Sequence, residues 1–259
     1  MRVLAIVSDD VTYQPLVYEP IVKECHPDII GLVVVPFRTR EKPRLELLSF
    51  LYHLYGIKGF LIKSLQVTKL AALDALSRWV RLKRCYSLRG IADRYKVPLY
   101  RTNSVNSETF LKLVAELRPD LILSSQGHYM GRRLLSIPRF GVINKHAGLL
   151  PKYRGVYPVF WAMLNGEPEI GVSIHFMTEG LDAGEIILQK RIPIAETDTF
   201  ETLYRKVVAV TPSLFISAIR AIGTNSVRTT PNDATLATCY SYPSRADIRR
   251  FRKMGKRII

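Results

Sequence analysis

Asn144 and His146 stand one residue apart in the stretch INKHAGLLPKYRG, where an apolar run gives way to a loop. In an extended chain that spacing puts both side chains on one face. A polar pair aimed at one point from a strand end is how a site is often built, and the imidazole can carry a proton. The same pair would also cap a loop, so a third group has to decide. Asp182, in EGLDAGEII, is the candidate: Gly180 and Gly184 flank it and let backbone approach a flat ligand closely. Other chemistries lack their signatures. There is no P-loop, no GxGxxG after the first strand and no GxSxG elbow. His26, His53, His128, His146 and His175 have no metal-ligand spacing among themselves or with the cysteines, so no metal site is expected.

The elements that must position these residues follow from the pattern of apolar runs. RVLAIV (2–7) and PDIIGLVVVP (27–36) read as buried strands with a helical stretch between them. In VNSETFLKLVAELRPDLILSS, Asn106 or Ser107 caps a helix with apolar residues at 110, 111, 114 and 117, Pro119 stops it, and LILS follows as a strand. FGVIN (140–144) is the next strand. IGVSIHFMTEG and GEIILQKRIPI form a later pair, a helix follows Asp198 or Thr199, and a short basic helix starts near Ser244. The alternation predicts an α/β, Rossmann-like, mostly parallel sheet with helices on both faces. Residues 43–85 break the rhythm. LELLSFLYHLY and KLAALDALSRWVRLKRC read as helices around a Gly56/Gly59 turn, either an insertion packed on the sheet or a pair facing a partner or membrane.

With 259 residues, 47% hydrophobic and 23% charged, the chain suits one large soluble domain with at most a modest appendage. Three widely separated cysteines, Cys25, Cys85 and Cys239, point to a reducing compartment. The apolar core of MRVLAIVSDD is too short for a signal peptide, and Glu46, His53 and Lys58 interrupt the later apolar stretch, so a cytoplasmic protein is expected. The net charge of +16 is localised. Residues 38–96 hold fourteen Lys/Arg against four Asp/Glu, a net of +10; residues 244–257 hold seven against one, a net of +6. The rest of the chain is neutral. The basic segments suit an acidic partner (a phosphorylated acceptor, RNA or an anionic lipid surface) or are solvated helical faces.

The run GVINKHAGLLPKYRGVYPVFWAMLNGEPEIGVSIHFMTEGLDAGEIIL resembles the catalytic core of the folate-dependent formyltransferases. That family includes methionyl-tRNA formyltransferase, glycinamide ribonucleotide transformylase and the sugar N-formyltransferases. Its pattern is Asn-x-His-x-Ser-Leu-Leu-Pro, then Tyr-Arg-Gly or similar, then a Leu-Asp-x-Gly loop. Here the aspartate falls 36 residues after the histidine, and the likeness covers about residues 97–195. The resemblance implies a catalytic domain over 1–195, with a helical insertion at about 40–96, and a C-terminal helix and basic tail over 196–259. It implies transfer of a formyl group from 10-formyltetrahydrofolate to an amine, without metal or covalent enzyme intermediate. Asn144 and His146 would donate to the oxygen of the tetrahedral intermediate. Asp182 would orient His146, favour its protonated form and help move the amine's proton away.

By the same resemblance, the folate would lie against Gly127, His128, Tyr129 and Met130 and against Thr178, Glu179, Gly180 and Leu181. Gly148, Leu149, Leu150 and Pro151 would shape the floor. Tyr153, Arg154 and Gly155 would face the acceptor, with Arg154 meeting a phosphate. Gly148 departs from the family serine, and QGHYMG is more polar and bulkier than the family's aliphatic version. SDDVTYQP replaces the glycine-rich phosphate loop of glycinamide ribonucleotide transformylase, and 65 residues follow Ile194 where methionyl-tRNA formyltransferase has a β-barrel. The acceptor expected is therefore a small phosphorylated amine, an amino sugar on a nucleotide or lipid carrier. A tRNA acceptor, a formyltetrahydrofolate hydrolase and an RNA-binding protein on this scaffold are the other readings, and peripheral contact with an anionic membrane is a further partner the basic segments allow.

Overall fold

The computed structural model describes residues 1–36, 44–80 and 82–259. The start of the expected insertion, at 40–43, lies outside them. The chain runs β1 (Val3–Ser8), α1 (Gln14–Cys25), β2 (Ile29–Val35), α2 (Arg44–Ser77), α3 (Leu88–Tyr95) and β3 (Leu99–Arg101). It continues through α4 (Glu108–Leu117), β4 (Leu121–Ser125), α5 (Arg132–Leu135), β5 (Val142–His146) and the short β6 (Arg154–Gly155). Then come α6 (Pro158–Leu164), β7 (Glu169–Phe176), β8 (Ile186–Pro193), α7 (Phe200–Gly223), β9 (Cys239–Tyr240) and α8 (Arg245–Lys253).

Seven strands form one sheet in the order β3-β2-β1-β4-β5-β7-β8, and β6 pairs with β9 apart from it. The five strands from β3 to β5 are parallel, and β7 and β8 are antiparallel. All six residues of central β1 are buried, as a strand covered on both faces requires. Val3, Ala5 and Val7 face Tyr18, Ile21, Ile91 and Phe215, whereas Leu4 and Ile6 face Phe110 and Val114. Strand order reverses between β1 and β4, which opens a crevice at the carboxyl ends of the parallel strands.

Local chemistry sets the helix starts. Ser107 Oγ accepts from the Phe110 amide, Thr199 and Thr202 form a reciprocal capping box, and so do Ser244 and Asp247. Three expectations change. The insertion ends before 96, because α3 buries Leu88, Ile91 and Ala92 in the main core as an ordinary crossover helix. The helix break is at Gly56 alone (φ 68°, ψ 174°), a conformation suited to glycine, while Gly59 stays helical beneath Ile259. Helix α2 stops at Ser77 and does not reach Cys85, since other elements take the backbone there: Arg94 donates to Leu82 O (2.7 Å), and Glu19 accepts from the Cys85 amide (2.8 Å).

Residue 195 is no break in packing, because α7 places Val208, Phe215 and Ile219 in the same core as β1 and α1. Two helices, α2 and α7, are long and apolar enough to cross a membrane by length and composition.

Candidate active site

Strand β5 ends in Asn144, Lys145 and His146, and its pairing with β7 sets His175 opposite Asn144. His175 Nδ1 lies 2.8 Å from the Phe176 carbonyl, which can only accept, so Nδ1 carries the proton. Its Nε2 lies 3.3 Å from Asn144 Nδ2. The loop after β7 returns Asp182, at φ 46°, beneath both histidines. Its Oδ2 lies 3.4 Å from His146 Nδ1, and its Oδ1 lies 3.6 Å from His175 Nε2. The Gly155 amide donates to Oδ2 at 2.8 Å. Asn144, His146 and Asp182 therefore converge, with His175 as a fourth member. Asn144 Oδ1 is buried and has no partner. A buried orphan acceptor is uncommon and marks a position suited to a ligand donor.

His146 differs from expectation in orientation and charge. Its Nε2 donates to the Tyr153 carbonyl at 2.7 Å, so the ring is held by protein on that side. Burial pushes its pKa down, more than the nearby Asp182 raises it, which favours the neutral ring and not the imidazolium. Burial alone would raise the Asp182 pKa, but His146 in its imidazolium form, together with His175 and the Gly155 amide, outweighs it and pulls the carboxyl below its ordinary range. Gly148 makes room for this arrangement: a Cβ there would fall 2.9 Å from His146 Nε2. The departure from serine and the ring's position are thus linked.

Lys145 was passed over by sequence reasoning, though a lysine inside an apolar strand between two polar residues is a readable signal. Its Nζ lies over the Tyr204 ring, 5.6 Å from the centroid. Burial pushes its pKa down to about 8, with Asp10 pulling the other way. His175 was also missed. Its only signal was its place on the alternating strand that leads into the Asp182 loop.

Other expected residues are present in altered roles. Arg154 is not a free phosphate grip, because it donates to Asn232 O (3.2 Å) and Oδ1 (2.8 Å). Asn232 in turn donates to Asp182 O (2.8 Å) and Gly184 O (2.9 Å), tying the two loops together. The Tyr153 ring stacks on Tyr240 and its hydroxyl donates to Glu167 at 2.7 Å, so only its carbonyl faces the site. Gly155 (φ 92°) serves Asp182 through its amide, and a Cβ there would strike Tyr240 O.

On the expected folate side, Thr178, Glu179, Gly180 and Leu181 form an exposed crest beside Asp182. In the loop after β4, Gly127 precedes His128, whose Nε2 lies 2.9 Å from Pro36 O, and Tyr129 is exposed. Met130 is buried in the core and does not line the crevice. Asn106 bridges Tyr129 O (2.8 Å) and the Gly131 amide (2.7 Å), so part of this loop's backbone is already engaged. Leu149, Leu150 and Pro151 shape a cavity of about 250 Å³ behind Gly148, with Pro158 and Ala162 on its far wall. Asn144, His146 and Asp182 do not line it. The Leu150 amide is fixed by Ser173 Oγ at 3.1 Å.

The family model described as Formyl transferase matches residues 74–219. A methionyl-tRNA formyltransferase of Kosmotoga olearia is 36% identical over 152 residues, 58% of this chain and 49% of the relative. The chain thus spans about half the length of the curated relatives it matches. Among solved structures, phosphoribosylglycinamide formyltransferase from Anaplasma phagocytophilum superposes with a TM-score of 0.62 at 17% identity, covering 93% of this chain and 98% of that one. The N-formyltransferase from Helicobacter canadensis, solved with folinic acid and dTDP-3-aminofucose, gives 0.56 at 22% identity over 93% and 71%. At these identities the structural likeness is one of fold.

Proposed function

The chain belongs to the formyl transferase family, and from that premise we propose that it moves a formyl group from 10-formyltetrahydrofolate to a primary amine, with an amino sugar on a nucleotide or lipid carrier as acceptor. The convergence of Asn144, His146 and Asp182 at the end of β5, with Asn144 Oδ1 buried and unpartnered, carries this reading. The orphan oxygen and the exposed crest at 178–181 fit a flat polar co-substrate.

The folate, when bound, supplies an activated formyl carbon. Asn144 accepts an amine N–H at its unpartnered Oδ1 and steadies the formyl oxygen with an Nδ2 hydrogen. Neutral His146 takes up the amine's proton at Nδ1, the nitrogen its hydrogen bond to Tyr153 leaves unprotonated. Anionic Asp182, 3.4 Å away, stabilises the imidazolium as it forms. Gly155 and Asn232 keep Asp182 in place from its carboxylate and its carbonyl sides. A sugar acceptor is supported by the localised positive charge and by the sugar nucleotide in the Helicobacter canadensis structure. The Kosmotoga olearia relative favours tRNA as the second reading.

Mass spectrometry on amino-sugar nucleotides and initiator methionyl-tRNA, each incubated with 10-formyltetrahydrofolate and enzyme, tests the proposal. A formylated sugar nucleotide is expected, and Asp182→Asn, folded normally, is expected to lose about 10²-fold or more in turnover. Formylated tRNA alone would replace the acceptor, and folate deformylation without an acceptor would indicate a hydrolase. Near-normal turnover by Asp182→Asn would overturn the catalytic assignment.

A further inference from the structure

The first half of α2 buries Leu47, Phe50 and Leu54 as an ordinary surface helix does, but beyond the break at Gly56 the helix turns an apolar stripe outward. Toward the protein it turns Lys63, Gln66, Asp74 and Ser77 together with Leu70 and Leu73, all partly shielded from solvent. Lys63 Nζ donates to Glu201 Oε1 at 2.7 Å and to Tyr13 OH at 2.9 Å, which anchors that polar side. Toward solvent it turns Ile57, Leu61, Leu65 and Leu76, with Trp79 in the turn that follows. Successive members stand about one or several helical turns apart, so they form one stripe. Leu65 is 71% exposed and Trp79 is 89% exposed. Eleven of the seventeen exposed large apolar side chains among the described residues lie between 45 and 80, which marks a surface that something covers.

The fold also brings the two basic segments together. Arg252 of α8 donates to the His53 and Leu54 carbonyls of α2 at 2.9 and 3.1 Å, and Ile259 packs at Gly59. Lys58, Lys69 and Arg78 are exposed along the stripe, and Arg245, Arg249 and Arg250 are exposed on neighbouring α8. Glu46 is the one exposed acid described on α2.

We propose that α2 and α8 together dock the protein on the surface of an anionic bilayer. The Leu61–Leu65–Trp79 stripe enters the headgroup and acyl boundary, and the flanking lysines and arginines meet anionic headgroups. A second copy of the chain is disfavoured as the occupant, since it would press two strongly positive faces together. The helix lies in the interface and does not cross the bilayer, because its Lys63 side is bound to α7 and the loop before α1. The inference is independent of the reading of the site.

The test is co-sedimentation of the full chain with phosphatidylcholine vesicles, with and without phosphatidylglycerol, read together with tryptophan emission. Binding to the anionic vesicles, a blue shift that Trp79→Phe abolishes, and weakening by salt are expected. The double variant Leu61→Glu/Leu65→Glu, with unchanged far-ultraviolet circular dichroism, should bind at least about tenfold more weakly. Lys58→Gln and Lys69→Gln should each cost about fivefold. The proposal fails if anionic vesicles do not bind, if the double variant binds as well as the parent, or if only RNA is retained. It also fails if the stripe mediates a dimer in lipid-free ultracentrifugation.

Discussion

Helices α2 and α7 are alike in length class and apolar content, yet the molecule uses them in opposite ways. α7 buries Phe215 and Ile222 against the sheet and α1, and Leu203 and Val207 in the cluster shared with α6, and shows solvent its polar side. α2 buries Leu47 and Leu54 in its first half, but beyond Gly56 it sends Lys63 inward to Glu201 of α7 and leaves Leu61, Leu65 and Leu76 in water. Composition therefore does not decide which face of a helix is buried. The decision falls to the partner each face finds, and here one carboxylate supplies it. Glu201 Oε1 accepts from Tyr13, Lys63 and Arg205 at 2.6, 2.7 and 3.0 Å. Burial raises its pKa, but Lys63 and Tyr13 outweigh that and hold it below the ordinary 4.5.

Four substitutions probe the contrast, beginning with the most severe. Phe215→Ala, at a fully buried α7 position beside Tyr18, should destabilise by about 3–5 kcal/mol in chemical denaturation. Glu201→Gln should cost about 2–3 kcal/mol, because Lys63 is left mostly buried without its counter-charge. The sign with pH is fixed by the lowered pKa. Glu201 stabilises fully above its unfolded value, and that contribution is lost as pH falls through and below about 4.5, a loss absent from the variant. Lys145→Met, next to the Tyr204 ring of α7, should stabilise by about 1–2 kcal/mol at pH 7. With a folded pKa near 8 and an unfolded value of 10.5, the parent binds fewer protons folded than unfolded across that window. Its stability should rise with pH there, so the advantage of the variant fades toward pH 10.5. Leu65→Ala, on the exposed stripe, should change stability by under about 0.5 kcal/mol. A loss of several kcal/mol at Leu65 would break the comparison.

What could be read from sequence depended on how far the deciding interaction reached along the chain. The caps at Ser107, Thr199 and Ser244 were legible because cap chemistry is local. The parallel sheet was legible because β1 and β2 are near-continuous apolar runs that alternate with helical stretches. Asn144, His146 and Asp182 were found by spacing and resemblance. The inverted face of α2 was hidden, since it depends on a carboxylate 138 positions away from Lys63. The capture of Arg154 was hidden for the same reason: Asn232 lies 78 positions downstream, in a segment with no motif. His146 was expected to be charged because one carboxylate was counted against it, whereas its burial, visible only in the fold, decides the balance.

The brace formed by residues 232–240 has a consequence for when the protein becomes competent. Asn232 holds the Asp182 loop, Thr238 Oγ1 holds the Tyr153 amide at 2.8 Å, and the Tyr240 carbonyl holds the Val156 amide at 3.0 Å. On the ribosome, Asp182 is made fifty residues before Asn232. A nascent chain therefore carries all three chemical groups for a time without the clasp that sets them. If those groups act as proposed, activity is timed to the arrival of a segment that contributes none of them itself.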